Sequence, residues 1–538
     1  MKQLFLLLFM TGVLAAANAQ DRPRYQGTRD VNNVIDNTPD SIGKALMARP
    51  APGSTRKGSL PVLFLIGNST MRNGTLGNGN NGQWGWGYFF PQYFDANKIS
   101  VENQALGGMS TRTFYTDLWP AIRKVLQPGD WVIVSIGHND GGEYFDQRRA
   151  RAVIPGVDPD TCIVGFNQRT QRQDTVYSYG TYLRKYIGEI RAKGAHTILM
   201  SLTPRNAYDN NGKIVRKPQT DWARAIAKEE GVPFIDLNEI SGAKLDSYSR
   251  WKVNYHFLGD LIHTSKFGAE MNAESAAMGI MGNNDPQLKP LKNALKAPIP
   301  QKYITTNNLP RVFLTGDSTV KNADKEEDGM WGWGAVANTV FNEGKCTVIN
   351  AARAGRSTRS FIREGRWDMV YNSLQPGDYV LIQFGHNDIS PITDQKARGV
   401  IAESKDTLHV YQMDNGTYEV VYSFGWYLKK MIDDVREKGA TPILLSLTPR
   451  NEWPGGKIER RNDSYGKWYR EVVAETSVEF VDVHNITADA LDKIGREGTK
   501  EYYNNDHTHT SKRGAMLNAQ SVAKGLKDIK SPLAELLK

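Results

Sequence analysis

Short runs of apolar residues closed by glycine, proline or aspartate alternate along this chain with longer amphipathic stretches. The runs at 62–66, 132–136, 197–202 and 233–237 read as strands buried on both faces of a parallel sheet, with a fifth at 99–105. Over 180–193, Tyr182, Leu183, Tyr186, Ile187 and Ile190 fall on one helical face, and Gly194 stands where a helix C-terminus favours glycine. Tyr427, Leu428, Met431, Ile432 and Val435 repeat that face further along. Strands and helices in alternation predict an α/β fold, a three-layer α/β/α domain with a mostly parallel sheet. Functional groups of such domains lie at the carboxyl ends of the strands.

The whole pattern occurs twice. Gly67-Asn-Ser-Thr70 returns as Gly316-Asp-Ser-Thr319, and Trp84-Gly-Trp-Gly87 as Trp331-Gly-Trp-Gly334. Gln127-Pro-Gly-Asp130 with Gly137-His-Asn-Asp140 returns as Gln375-Pro-Gly-Asp378 with Gly385-His-Asn-Asp388. Ser201-Leu-Thr-Pro-Arg-Asn206 and His263-Thr-Ser-Lys266 return from Ser446 and from His509. The offsets are 249 at Ser69, 248 at Asn139 and 246 at His263, a drift too small for anything but two whole domains. We expect domains at 59–286 and 309–538, a Pro-rich linker at 287–308, and an extension at 20–58 that has no counterpart in the second copy.

Residues 1–19 fit none of this. Lys2, the apolar stretch 4–16 and Ala17-Asn-Ala19 make the pattern of a cleaved export signal, so we expect an exported protein, periplasmic or secreted. No run approaches the length needed to span a bilayer, which argues against membrane insertion. The net charge of +9 favours anionic partners, yet no block of consecutive Lys and Arg marks a nucleic-acid footprint. Cys162 and Cys346 are too few for a disulfide framework, and their spacing does not say whether they meet.

Candidate chemistry lies in the repeated motifs. Ser69 and Ser318 each follow a glycine at a strand-to-helix turn, a place for a nucleophile and equally for a capping hydroxyl. Asp260 with His263, and Asp506 with His509, share a three-residue spacing that lets the carboxylate fix the imidazole, either for general-base work or as a local cap. Asn139 and Asn387, just past the third strand, could donate to an oxyanion. Gly108 and Gly355 could bring a backbone N–H close to a substrate. Leu261 stands where the second copy has His507, so a metal site common to both halves is not expected, and no cofactor is called for. No Gly-x-Ser-x-Gly elbow occurs. Trp84, Trp86, Trp331 and Trp333 could stack on sugar rings or pack between their glycines.

In this order, Gly-Asn/Asp-Ser, Gly108/Gly355, Gly-x-Asn-Asp and Asp-x-x-His resemble the four blocks of the SGNH (GDSL-type) hydrolases. The stretch 350–361, the Gly-Trp-Gly after the first block and His-Thr-Ser-Lys resemble the rhamnogalacturonan acetylesterases, the family-twelve carbohydrate esterases. The resemblance implies a flavodoxin-like fold without metal. It implies Ser69 and Ser318 as nucleophiles, His263 and His509 as bases oriented by Asp260 and Asp506, and Gly108, Asn139, Gly355 and Asn387 as oxyanion donors. The implied substrate is acetylated pectic polysaccharide or oligosaccharide. Xylan or another glycan, or carbohydrate binding by one inactive copy, are the competing expectations. The first copy departs from the pattern at Asn68, where the second has Asp317, and at Gly107-Gly-Met109, where the second has Ala354-Gly-Arg356.

Overall fold

The computed structural model describes residues 48–296, 301–321 and 329–538, with the backbone of Arg24–Tyr25. The export-signal segment lies outside the described residues. The chain divides into two compact units, with the boundary in sequence at 298/299.

The first domain carries strands β1 (Val62–Gly67), β2 (Ser100–Asn103), β3 (Trp131–Ser135), β4 (Cys162–Asn167), β5 (Arg172–Tyr177), β6 (His196–Met200) and β7 (Phe234–Ile235). Five of them form one parallel sheet in the order β2-β1-β3-β6-β7. Among its helices, α1 is Thr111–Asp117, α2 Tyr179–Arg191 and α3 Lys266–Gly282. Successive side chains of a strand point to opposite faces, and β1 feeds both. Val62, Phe64 and Ile66 join Phe114 of α1 and Tyr182, Leu183, Tyr186, Ile187 and Ile190 of α2 in one core. Leu63 and Leu65 join Trp86, Phe90 and Ala273, Ala276 and Ile280 of α3 in the other. Three layers result, and the sheet centre is apolar on both sides.

The second domain repeats the arrangement. Strands β8 (Arg311–Gly316), β9 (Thr347–Asn350), β10 (Tyr379–Gln383), β13 (Thr441–Leu445) and β14 (Glu479–Val481) form a parallel sheet ordered β9-β8-β10-β13-β14; β11 (Thr407–Gln412) and β12 (Tyr418–Tyr422) precede β13 in the chain. Helices α4 (Thr358–Arg363), α5 (Phe424–Glu437) and α6 (Lys512–Asp528) match α1 to α3. Both sheets have the order of a flavodoxin-like doubly wound fold, whose ligand crevice opens beyond the first and third strands.

Several motifs serve this frame. Asp130 accepts the Val62 amide at 2.9 Å and the Gln127 amide at 2.8 Å, tying two strand starts together; Asp378 does the same for Arg311 and Gln375. The end of the N-terminal extension is built in as well. Arg56 forks onto Asp130, and the amides of Gly53 and Thr55 bind the buried Glu102 carboxylate of β2. Part of the stretch read as linker also packs on the first domain, with Leu288 and Leu291 in its core. Pro286–Leu288 and Lys289–Lys292 are helical because apolar residues one turn apart can be buried there.

The antiparallel pair β4–β5 is an addition to the expected elements. Its first strand is mostly exposed, so the alternation that betrays a half-buried strand is missing. Cys162 begins it, exposed, while Cys346 is buried, and both are free thiols. Among the described residues no helix is long and apolar enough to cross a membrane.

Candidate active site

Ser69 stands two residues beyond Gly67, at the carboxyl end of the central strand β1. Its neighbour Asn68 holds the turn: Asn68 Oδ1 accepts from Thr70 N at 3.2 Å and Thr70 Oγ1 at 3.0 Å. In the second copy Asp317 Oδ1 accepts from Thr319 N at 2.9 Å and Oγ1 at 2.8 Å.

The Asp-x-x-His turns close onto these serines. His263 Nε2 lies 2.8 Å from Ser69 Oγ, and its Nδ1 2.5 Å from Asp260 Oδ2. His509 Nε2 lies 2.9 Å from Ser318 Oγ, and its Nδ1 2.6 Å from Asp506 Oδ2. In both turns the other carboxylate oxygen accepts the histidine's own backbone N–H at 2.7 Å, so the three-residue spacing folds the acid under the ring. Burial raises the pKa of each aspartate, but the histidine and the backbone amides more than offset it. Asp260 ends below the usual carboxylate range, and Asp506 falls to about 2. Both are ionised at neutral pH.

Two repeated motifs lock the turns in place. Trp84 N donates to Thr264 O at 2.9 Å and Thr264 Oγ1 returns a bond to Trp84 O, while Trp86 N reaches Thr70 O at 3.0 Å. The Gly-Trp-Gly segment therefore bridges the serine turn and the histidine turn. The chains are so close there that a Cβ on Gly85 would sit 2.2 Å from the Met71 carbonyl carbon; on Gly332 it would sit 2.2 Å from Lys321 O. On the far side, Asn206 N donates to Leu261 O at 2.8 Å and Asn451 N to His507 O at 2.7 Å. Trp86 and Trp333 are fully buried core residues, so they do not stack on sugars. Trp84 and Trp331 remain half-buried.

The glycine loops meet the same strand end. Leu106 N bonds Gly67 O and Arg353 N bonds Gly316 O, which sets Gly108 and Gly355 beside the serines. Both glycines are left-handed, at φ +82° and +75°. Asn139 Nδ2 donates to Met109 O at 3.0 Å and Asn387 Nδ2 to Arg356 O at 3.2 Å, leaving each amide a second N–H to offer a ligand.

Serine turn, histidine turn, glycine loop and asparagine are thus assembled twice in the same way. A model described as the GDSL-like Lipase/Acylhydrolase family matches residues 65–271 and again 314–517. The chain belongs to that family. It is a carboxylic ester hydrolase. Among curated relatives of this GDSL-like chain, rhamnogalacturonan acetylesterase of Emericella nidulans is 32% identical over 220 residues, covering 40% of this chain and 84% of that protein. Rhamnogalacturonan acetylesterase RhgT of Bacillus subtilis is 34% identical over 242 residues, covering 42% and 94%. Among solved structures, a catalytic mutant of Axe2, an acetylxylan esterase from Geobacillus stearothermophilus, is 19% identical over 40% of this chain and 94% of that one, with a TM-score of 0.29.

Four features of the two GDSL-like sites escaped sequence reading. Thr111 N and Oγ1 donate to Asp140 at 2.8 and 2.6 Å, and Thr358 does the same for Asp388, so the last residue of Gly-His-Asn-Asp anchors the helix that follows the glycine loop. Arg151 Nη1 holds Gly108 O at 3.1 Å. Arg398 Nη1 holds Gly355 O at 3.2 Å and also Asn387 Oδ1 at 2.9 Å. Each arginine follows an alanine in the left-handed region, Ala150 at φ +41° and Ala397 at +46°, a strain of order 1 kcal/mol or more that aims the next side chain inwards. The repeated Ala-Arg-x-Val-Ile of 150–154 and 397–401 was the available signal. His138 and His386, buried against Thr203 and Thr448, are held neutral because burial drives their pKa values far down.

Proposed function

We propose that each domain is a serine esterase that removes O-acetyl groups from pectic polysaccharide of the rhamnogalacturonan type. The observation that carries this reading is the unbroken hydrogen-bond chain from aspartate through histidine to serine, formed once in each domain. Relatives named rhamnogalacturonan acetylesterases support the substrate class, and the net positive charge suits an acidic polymer.

In the first domain Ser69 Oγ attacks the acetyl carbonyl carbon while His263 Nε2 takes its proton. The ionised Asp260 stabilises the imidazolium through Nδ1. Negative charge gathers on the former carbonyl oxygen, where the Ser69 and Gly108 backbone N–H groups and Asn139 Nδ2 receive it. Collapse breaks the bond to the sugar oxygen, which leaves as a hydroxyl with the proton from His263. Water, deprotonated by the same histidine, then releases acetate and regenerates Ser69. Ser318, His509, Asp506, Gly355 and Asn387 repeat these roles in the second domain. The signal-like segment at 1–19 supports action outside the cytoplasm, in the periplasm or medium.

The test is acetate release by the full chain from acetylated rhamnogalacturonan, acetylated xylan and 4-nitrophenyl acetate. Release that is fastest from the pectic polymer supports the reading. Turnover of xylan alone refutes the substrate, and no turnover of any ester refutes the mechanism.

A further inference from the structure

The repeated Ser-Leu-Thr-Pro-Arg-Asn loop contributes a threonine to the buried histidine and an asparagine amide to the histidine turn, which leaves its arginine unexplained. The two copies treat that arginine differently. In the second domain Arg450 N donates to Glu459 Oε1 at 2.9 Å, and the buried Glu459 carboxylate also pairs with Arg461 Nε at 3.1 Å. Arg450 Nη1 further lies 4.0 Å from Glu452 Oε1. Glu459 thus neutralises Arg461, and Glu452 stands at the edge of ion-pair range of Arg450.

In the first domain the equivalent positions are fixed by the backbone: Val215 N donates to Ala207 O at 2.9 Å, as Glu459 N does to Glu452 O at 2.9 Å. Both acids are thus replaced by small apolar residues. Arg205 and Lys217, the counterparts of Arg450 and Arg461, are each about half-buried. Neither side chain makes an ion pair or hydrogen bond among the described residues; Arg205 Nε is fully buried without an acceptor, as is Arg450 Nε, so the difference between the copies lies in the missing carboxylates. Both cations act on His138, as do His263 and Asp260, so they stand within electrostatic range of the triad. The acid that favours the Arg205 charge is Asp260, which is already committed to His263. Burial lowers the pKa of both cations, and Arg205 lowers that of Lys217 further. Half-buried cations left without a carboxylate are costly unless a ligand brings one. Arg353, which stands in the second domain where Leu106 is buried in the first, is exposed.

Building on the acetylesterase reading, we propose that Arg205 and Lys217 form a carboxylate-binding subsite that seats the uronate group of an acetylated acidic sugar beside Ser69. In the second domain Glu459 and Glu452 fill the same place, and that site accepts acetylated saccharides without requiring a carboxylate. The two halves divide the polymer by charge.

The test uses full-length Ser318→Ala and Ser69→Ala chains, each leaving one working site, on acetylated oligogalacturonate and acetylated xylo-oligosaccharide. The ratio of kcat/KM between acidic and neutral substrate should be about tenfold higher in Ser318→Ala, the worth of one charge-assisted contact. Val215→Glu or Lys217→Gln in that chain should lower the ratio, chiefly through KM for the acidic substrate, and Glu459→Val in Ser69→Ala should raise it. Calorimetry of unesterified trigalacturonate with the Ser69→Ala, Ser318→Ala chain should register binding that Lys217→Gln weakens. Equal ratios in the two chains, or a ratio and an affinity indifferent to Val215→Glu and Lys217→Gln, would overturn the subsite. An inactive chain on every ester, with trigalacturonate binding intact, would overturn the esterase reading and leave the subsite standing.

Discussion

Asp317 and Asp388 are buried carboxylates within electrostatic reach of each other, one beside Ser318 and the other beneath the glycine loop. Burial, with the charge of Asp317 acting in the same direction, pushes Asp388 up to about 7 against the bonds from Thr358. In the first domain Asn68 replaces Asp317, so that repulsion is gone. Asp140, raised by burial but opposed by Thr111 and by Arg151, reaches only about 6. Either residue leaves one buried polar atom unpaired, Asn68 Nδ2 in the first domain and Asp317 Oδ2 in the second.

Asn68→Asp should recreate the coupling. The titration midpoint of Asp140 is expected to move from about 6 towards the Asp388 value of about 7. Carboxyl carbon NMR of the labelled side chain would follow it. A midpoint that stays put would mean that burial alone separates the two domains.

The same carboxylates shape stability against pH. Each has a folded-state pKa above its unfolded value of 3.8, so the folded state holds a proton that the unfolded chain releases. The stability they contribute is full below pH 3.8 and is lost as pH rises through about 6 for Asp140 and about 7 for Asp388. Asp388→Asn removes that loss. Its unfolding midpoint relative to wild type, read by calorimetry, should improve between pH 5 and pH 8, and a pH-independent difference would contradict the assignment.

Two complete hydrogen-bond chains in separate domains should work independently. Ser69→Ala and Ser318→Ala are each expected to remove part of the acetate release, and the double variant nearly all of it. If Ser318→Ala alone abolished turnover, the first site would be inert and Asn68 the first residue to restore.

Arg398 touches both loops that would face the oxyanion, through Gly355 O and Asn387 Oδ1. In a Ser69→Ala chain, Asn387→Ala should lower kcat by about 10²–10³, the usual cost of one oxyanion donor. Arg398→Met should lower kcat more than it changes KM, because it acts by positioning. The double variant should lose less than the product of the two single losses, since one residue works through the other. Fully multiplicative losses would separate Arg398 from Asn387.

Much of this was legible along the chain. The strand at 62–66 was evident because both faces of a central parallel strand are buried, which leaves an uninterrupted apolar run. Asp260 and His263 were legible as a pair because the turn that joins them is local. Asp140 was harder. It was visible in its motif, but its bonds to Thr111 span 29 residues and exist only because β3 lies next to β1 in the sheet. The β4–β5 hairpin left no trace, since its first strand is mostly exposed and carries no apolar alternation.

The sequence by itself determined the duplicated α/β plan, the strand ends on which Ser69 and Ser318 stand, and the residues able to complete a triad. These follow from burial periodicity and local turns, which neighbouring residues dictate. Tertiary structure alone decided which charges meet. Arg56 meets Asp130 across 74 residues, and Arg112 meets Asp174 across 62, only because the fold carries both partners together. Such pairings depend on the order of strands in the sheet, and no periodicity along the chain records that order.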